Sequence, residues 1–184
     1  MIKKFSSWLY RVSTGKRALF SLLCFVVFSA LILPGQSAGA EEYSADVGSP
    51  DLSFFYSAEE LYNMAEVYGE EGREAYIRAR FTFDLLWPIV YMIFLTTAIS
   101  WLFVQAVPTY SGFRSMNLIP ILAMLFDYLE NISTSLVMWR YPEKIVGVAD
   151  IAPIFTFLKW TLLTVAILSL VLGVVFRIRR RFKR

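Results

Sequence analysis

The sequence predicts an all-α polytopic membrane protein, a four-helix transmembrane bundle with a short extracytoplasmic amphipathic helix. Three observations predict it. The 184 residues are 57% hydrophobic and only 18% charged, against about 45–50% and 25% in an ordinary soluble domain. Four apolar runs approach or exceed the ~20 residues that carry a helix across a bilayer. Basic residues gather in three of the segments flanking those runs, and the same segments hold no acid.

The chain reads as one membrane domain, 1–184. In residues 1–17, Ile2, Phe5, Leu9 and Val12 share a helical face with Lys3, Lys4 and Arg11 largely off it. This pattern predicts a helix lying on the cytoplasmic surface of the membrane. The first span is 18–35. It also has the pattern of a signal peptide: basic residues, a short apolar run, then Ala38-Gly39-Ala40 before Glu41. The retained span is the favoured reading, because it offers a packing partner to the polar faces of the other helices.

Residues 36–80 hold ten of the fifteen acids. They are too few and too polar to bury a core of their own, so they are expected to cap the helices. Residues 36–52 read as a linker. Ser57-Ala58-Glu59-Glu60 is a capping box, predicting a helix with Leu61, Met64, Ala65 and Tyr68 on one face and Gly69 at its end.

The second span, 81–104, is expected to continue a helix that starts near Glu71. On that helix Arg73, Tyr76, Arg80, Asp84, Trp87 and Tyr91 fall within one sector of about 80°. Arg80 and Asp84 are i,i+4 neighbours positioned to pair. Pro88 releases the carbonyl of Asp84, which makes that turn a candidate coordination point. The third span, 118–139, places Pro120, Ala123, Asp127, Glu130, Asn131, Thr134 and Met138 within about 100° of arc. A bare charge at a span's centre costs ~2.5–3.5 kcal/mol, so this face must look into the bundle. The fourth span, 151–176, carries Lys159.

A short loop joins spans three and four, so they are expected to pack antiparallel. At 1.5 Å per residue, Glu130 and Lys159 then lie ~13.5 and ~12 Å below the same edge. The expectation is an intramembrane ion pair, with Asn131 and Thr134 completing its hydrogen bonds. Asp127 is left one turn deeper without a cation. Its surroundings favour the neutral form, bonded to a carbonyl or to Ser21 or Ser29, or free to relay a proton.

Lys3, Lys4, Arg11, Lys16 and Arg17 precede span one, Arg114 lies between spans two and three, and six more basic residues fill 177–184. The positive-inside rule therefore predicts cytoplasmic termini and a bacterial inner membrane. The terminal run RIRRRFKR reads as an anchor to anionic lipid at the cytoplasmic face, and no nucleic-acid partner is expected. There is no histidine and Cys24 is the sole cysteine. That excludes imidazole catalysis, a CxxC centre and a cysteine-cluster zinc site. No cofactor or metal is expected.

The strings YGEEGREAYIRARFTFDLLWPIVY (68–91) and LFDYLEN (125–131) resemble a family of bacterial multi-span membrane proteins that carries no assigned activity, so no function follows from the resemblance. In layout the chain is also similar, by analogy, to the EXPERA group of sterol isomerases and sterol-binding proteins. Those have an outer helical segment, intramembrane acids and a basic tail. The diagnostic EXPERA string and the isomerase histidine are missing.

The expected role is non-enzymatic: a bundle whose polar core binds a small amphiphile or supports a membrane-protein partner. Two alternatives remain. One is an intramembrane lipid-modifying enzyme using Asp127, Glu130 and Asp84 as acids and bases. The other is a proton-coupled transporter in which Asp127 alternates its protonation.

Overall fold

A computed structural model describes residues 1–44, 47–108, 111–145 and 147–182, with the side chains of residues 105 and 181 left out. Asp46 of the expected linker, and Lys183 and Arg184 of the basic tail, lie outside the described residues. The described chain is all-helical, without strands. Its helices are α1 (Ile2–Val12), α2 (Gly15–Ser44), α3 (Ala58–Val67), α4 (Gly69–Arg80), α5 (Phe83–Ala106), α6 (Ile119–Arg140) and α7 (Val148–Phe182), with 3₁₀ turns at Pro50–Leu52 and Gly112–Leu118. Four stretches are long and apolar enough to cross a membrane: Gly15–Ser44, Gly69–Val104, Gly112–Arg140 and Val148–Arg180.

α6 lies at the centre, packed along α7 and against α5, while α2 leans mainly on α5 at the periphery. The arc read from the third span is the face that α6 buries: Pro120, Ala123, Asp127, Glu130, Asn131, Thr134 and Met138 are all inside. Its opposite face, with Leu122, Leu125, Leu129 and Ile132, is exposed. In α2 exposure runs round most of the helix, from Leu19 and Phe20 to Val26, Val27 and Leu31, as suits a span bathed in hydrocarbon.

Three expectations about the elements are corrected. Residues 36–44 are not linker but the last turns of α2. Ala38, Ala40, Glu41 and Glu42 favour helix, and Tyr43 packs edge-on against Tyr68 with ring centroids 4.9 Å apart. The Ala38-Gly39-Ala40 string therefore sits within a continuous helix.

Secondly, the stripe from Glu71 is not one helix. The chain breaks at Phe81 and Thr82, where the Thr82 hydroxyl donates to the Arg78 carbonyl at 2.7 Å. A threonine hydroxyl bonded back to the preceding turn competes with helix continuation.

The third correction concerns α1. Leu9 turns inward with Ser6 and Tyr10, while Ile2, Phe5 and Trp8 stay exposed. Polar bonds set this orientation. Ser6 Oγ donates to Asn117 Oδ1 at 2.7 Å, Asn117 Nδ2 donates to Ser100 Oγ at 3.0 Å, and Tyr10 donates to the Arg114 carbonyl at 2.8 Å. α1 is thus tied to the end of the bundle where α5 meets α6.

At the opposite end α3 closes the bundle. Ser57 and Glu60 form the capping box, Leu61, Met64 and Ala65 pack with Val137, Met138, Ala149 and Ala152, and Gly69 turns the chain into α4 with φ 64°. A positive φ costs glycine little, which is why the helix ends there.

Candidate functional site: a charged core clamped from outside the spans

The side chains paired by the register argument lie together: Lys159 Nζ is 2.6 Å from Glu130 Oε2, with 2% and 0% of the two side chains exposed. Antiparallel packing of α6 on α7 supplies the level, and Ala152, Thr156 and Ala166 let the helices approach closely, each with no exposed surface. Arg80 and Asp84 also meet, at 2.8 Å, across the break between α4 and α5.

Asp51 joins these two pairs, and the sequence reading did not single it out. It sits in the Pro50–Leu52 turn, outside the spans, and reaches inward. One carboxylate oxygen is 2.7 Å from Lys159 Nζ and the other is 3.1 Å from Arg80. Five side chains thus form an unbroken chain: Glu130, Lys159, Asp51, Arg80, Asp84. Burial pushes the Asp51 carboxyl up, but the Lys159 and Arg80 cations outweigh it and hold it well below the usual carboxylate range.

The turn is anchored by aromatic residues next to it. Tyr56 shares a hydrogen bond with Thr156 at 3.0 Å, and Phe54 meets Phe157 edge-on. Burial, then the charge of Glu130, pushes the Tyr56 phenol above its ordinary range. Of this stretch Tyr56 is the aromatic that turns inward, while Phe54 and Phe55 stay exposed; the Phe54-Phe55-Tyr56 run inside an acid-rich segment was the available signal of an anchor there. Nothing in the spacing marked Asp51 itself.

Other partner assignments are corrected. Asn131 and Thr134 do not complete the Glu130–Lys159 contact. Asn131 Nδ2 donates to Asp127 Oδ1 at 3.2 Å, one helical turn back. Thr134 bonds the Glu130 carbonyl and accepts from the Tyr76 hydroxyl at 3.0 Å. Asp127 reaches neither Ser21 nor Ser29, because α2 packs on α5 and not on α6. Ser21 bonds the Ala18 carbonyl and Thr97, and Ser29 bonds the Phe25 carbonyl. The partner of Asp127 is Tyr91, whose hydroxyl donates to Oδ2 at 3.0 Å.

The outer-mouth stripe divides. Tyr76, Arg80, Asp84 and Tyr91 enter the core. Arg73 instead donates to the Ala65 carbonyl and lies over the Tyr141 ring. Trp87 turns towards α2, stacking on Phe25 and Phe28. In the turn opened by Pro88, the side-chain donor that arrives is the Tyr128 hydroxyl, and it takes the Leu85 carbonyl at 2.8 Å rather than that of Asp84.

Asp51, Asp127 and Glu130 each place an oxygen within 4.8 Å of the others. That is a spacing a metal ion could use, but the Lys159 ammonium already lies against two of the three. The cluster as a whole sets four carboxylates (Asp51, Asp84, Asp127, Glu130) against two cations.

Comparison with family models, with curated proteins and with solved structures finds no match for this chain.

Proposed function

We propose that this chain is a non-enzymatic integral membrane protein of the bacterial inner membrane whose clamped polar core supports a membrane partner or holds a small amphiphile. The observation that carries this reading is the Asp51 bridge. A side chain from outside the spans ties α7 to the α4–α5 break, so five of the core's six charged groups, all but Asp127, are engaged with one another. An acid–base catalyst instead needs its carboxylates turned towards a substrate cleft. In this reading the Glu130–Lys159 contact is an intramembrane ion pair that fixes the register of α6 on α7. Both termini are cytoplasmic, since twelve of the eighteen basic residues gather at that end, and Arg177, Arg179 and Arg180 meet anionic lipid there.

The test is to incubate the purified full-length protein with total membrane lipid and follow both by mass spectrometry. The expected result is bound lipid recovered chemically unchanged. A new lipid species that disappears with Asp127→Asn would overturn the reading and establish an enzyme.

One observation favours a second reading, proton-coupled transport. The carboxylates outnumber the cations by two, and the Tyr91–Asp127–Asn131 branch lies off the ion-pair chain. In proteoliposomes this reading requires a proton flux that Asp127→Asn abolishes.

A further inference from the structure

A cavity of about 870 Å³ opens at the far end of the bundle from the charged core, between α1, the end of α5 and the Gly112–Leu118 turn. Its walls carry Lys3, Lys4, Arg11 and Arg114, with hydroxyls from Ser7 and Ser115 among others. No acid lines it. Among the described residues Lys3, Lys4 and Arg11 meet no carboxylate, since the ion pairs are all made by Arg80, Arg140 and Lys159.

Arg114 is held in place. Its Nε and Nη2 donate to the Val107 carbonyl at 3.1 and 2.9 Å, and its guanidinium lies 4.5 Å over the Tyr10 ring. The α1 wall is equally fixed by the bonds of Ser6 to Asn117. Four cations gathered round one cavity repel one another, and an anionic ligand seated among them would relieve that repulsion. A phosphate ester suits this set, because guanidinium, ammonium and hydroxyl groups all donate to its oxygens.

The surroundings indicate what the phosphate is attached to. Ile2, Phe5 and Trp8 are exposed on the same helix, with Phe5 and Trp8 stacked at 5.8 Å. Val104, an aliphatic residue in the wall, ends the stretch Gly69–Val104 that is apolar enough to cross the bilayer. A polar, cationic cavity bordered by exposed apolar side chains at the end of a span lies at headgroup depth. Its volume falls in the range of sites that take a whole small molecule, more than a bare phosphate ion requires.

We propose that the cavity between α1 and the α5–α6 connection binds the phosphate headgroup of an anionic phospholipid, with Lys3, Lys4, Arg11 and Arg114 as its ligands. The site is separate from the charged core and does not depend on the function proposed for that core. α1 is then one half of a headgroup clamp rather than a surface float.

The test uses the full-length protein in nanodiscs, with retained lipid counted by native mass spectrometry after transfer to detergent. Phosphatidylglycerol should be retained and phosphatidylcholine should not. The Lys3→Gln/Lys4→Gln/Arg11→Gln variant should lose phosphatidylglycerol at least about tenfold, whereas Arg179→Gln/Arg180→Gln, which removes only the diffuse attraction of the tail, should lose far less. Ser7→Trp, which fills the cavity without altering charge, should lose it as well. Equal retention of both lipids, or equal loss from the tail variant, would overturn the proposal. Displacement of the lipid by millimolar inorganic phosphate would overturn the lipid assignment in favour of a free anion.

Discussion

Lys159 is shared between two carboxylates, and this makes its replacement unlike that of either partner. Glu130→Gln leaves the ammonium with Asp51 at 2.7 Å. Lys159→Met strips both acids of a cation while keeping the side chain's volume. Removing one partner of a buried pair costs about 3–5 kcal/mol, so Lys159→Met should fall in that range. Glu130→Gln should cost clearly less, about 1–3 kcal/mol. Denaturant or thermal unfolding in a mild detergent checks the order, and equal losses would mean that Asp51 contributes nothing to holding the lysine.

The pairing of residues 130 and 159 could be read from the sequence because helix rise alone sets depth once the joining loop is short. The companions of Asp127 could not. A carboxylate on a helix reaches whichever neighbour packs beside it, and no periodicity ranks α5 above α2 for that place.

Helices and turns obey two local constraints that invite substitution. A Cβ added at Gly72 would stand 2.7 Å from the Cβ of Tyr43, whereas one added at Gly39 meets nothing within 4 Å. Gly72→Ala should therefore destabilise by about 1–3 kcal/mol by forcing α4 off α2. Gly39→Ala in the same helix pair should be neutral or stabilising by up to about 1 kcal/mol. Melting temperatures of the two variants decide it.

The Pro50–Leu52 turn should respond to acid in a defined direction. Asp51 has its folded carboxyl held below the ordinary value of about 3.9. The stabilisation is then fully present above about pH 4 and fades as pH falls towards the folded value. Proteolysis of the segment around Tyr56 should accordingly be slower in wild type than in Asp51→Asn from neutral pH down to about 4, with the gap closing below that. The absence of any gap from neutral pH down to about 4 would show that the turn is held by its aromatic residues alone. The capping box and the Gly69 stop were legible because each is a local hydrogen-bond pattern. The helical run through 36–44 was not, since it depends on Tyr43 finding Tyr68.

At the scale of the molecule, composition and the four apolar runs were enough for the class and the count of spans. They left open which helix is central. α6 takes that place because its polar arc has no other way to avoid lipid, and α2, without such an arc, is left at the edge. The bundle has an acidic, capped end and a basic end, and the proposed topology puts the second in the cytoplasm. Single cysteines in a Cys24→Ser background test this. Lys16→Cys and Arg179→Cys should react with a membrane-impermeant reagent only after the cells are opened, and Glu59→Cys in intact cells. Labelling of Arg179→Cys in intact cells would reverse the orientation.

The measurement that bears most directly on the clamped core is the thermodynamic coupling between Asp51 and Lys159. It is obtained from the unfolding free energies of wild type, Asp51→Asn, Lys159→Met and the double variant. A carboxylate and an ammonium at 2.7 Å should couple by about 1.5 kcal/mol or more. Additive losses, with a coupling within about 0.5 kcal/mol of zero, would contradict the bridge from the outer turn to the fourth span.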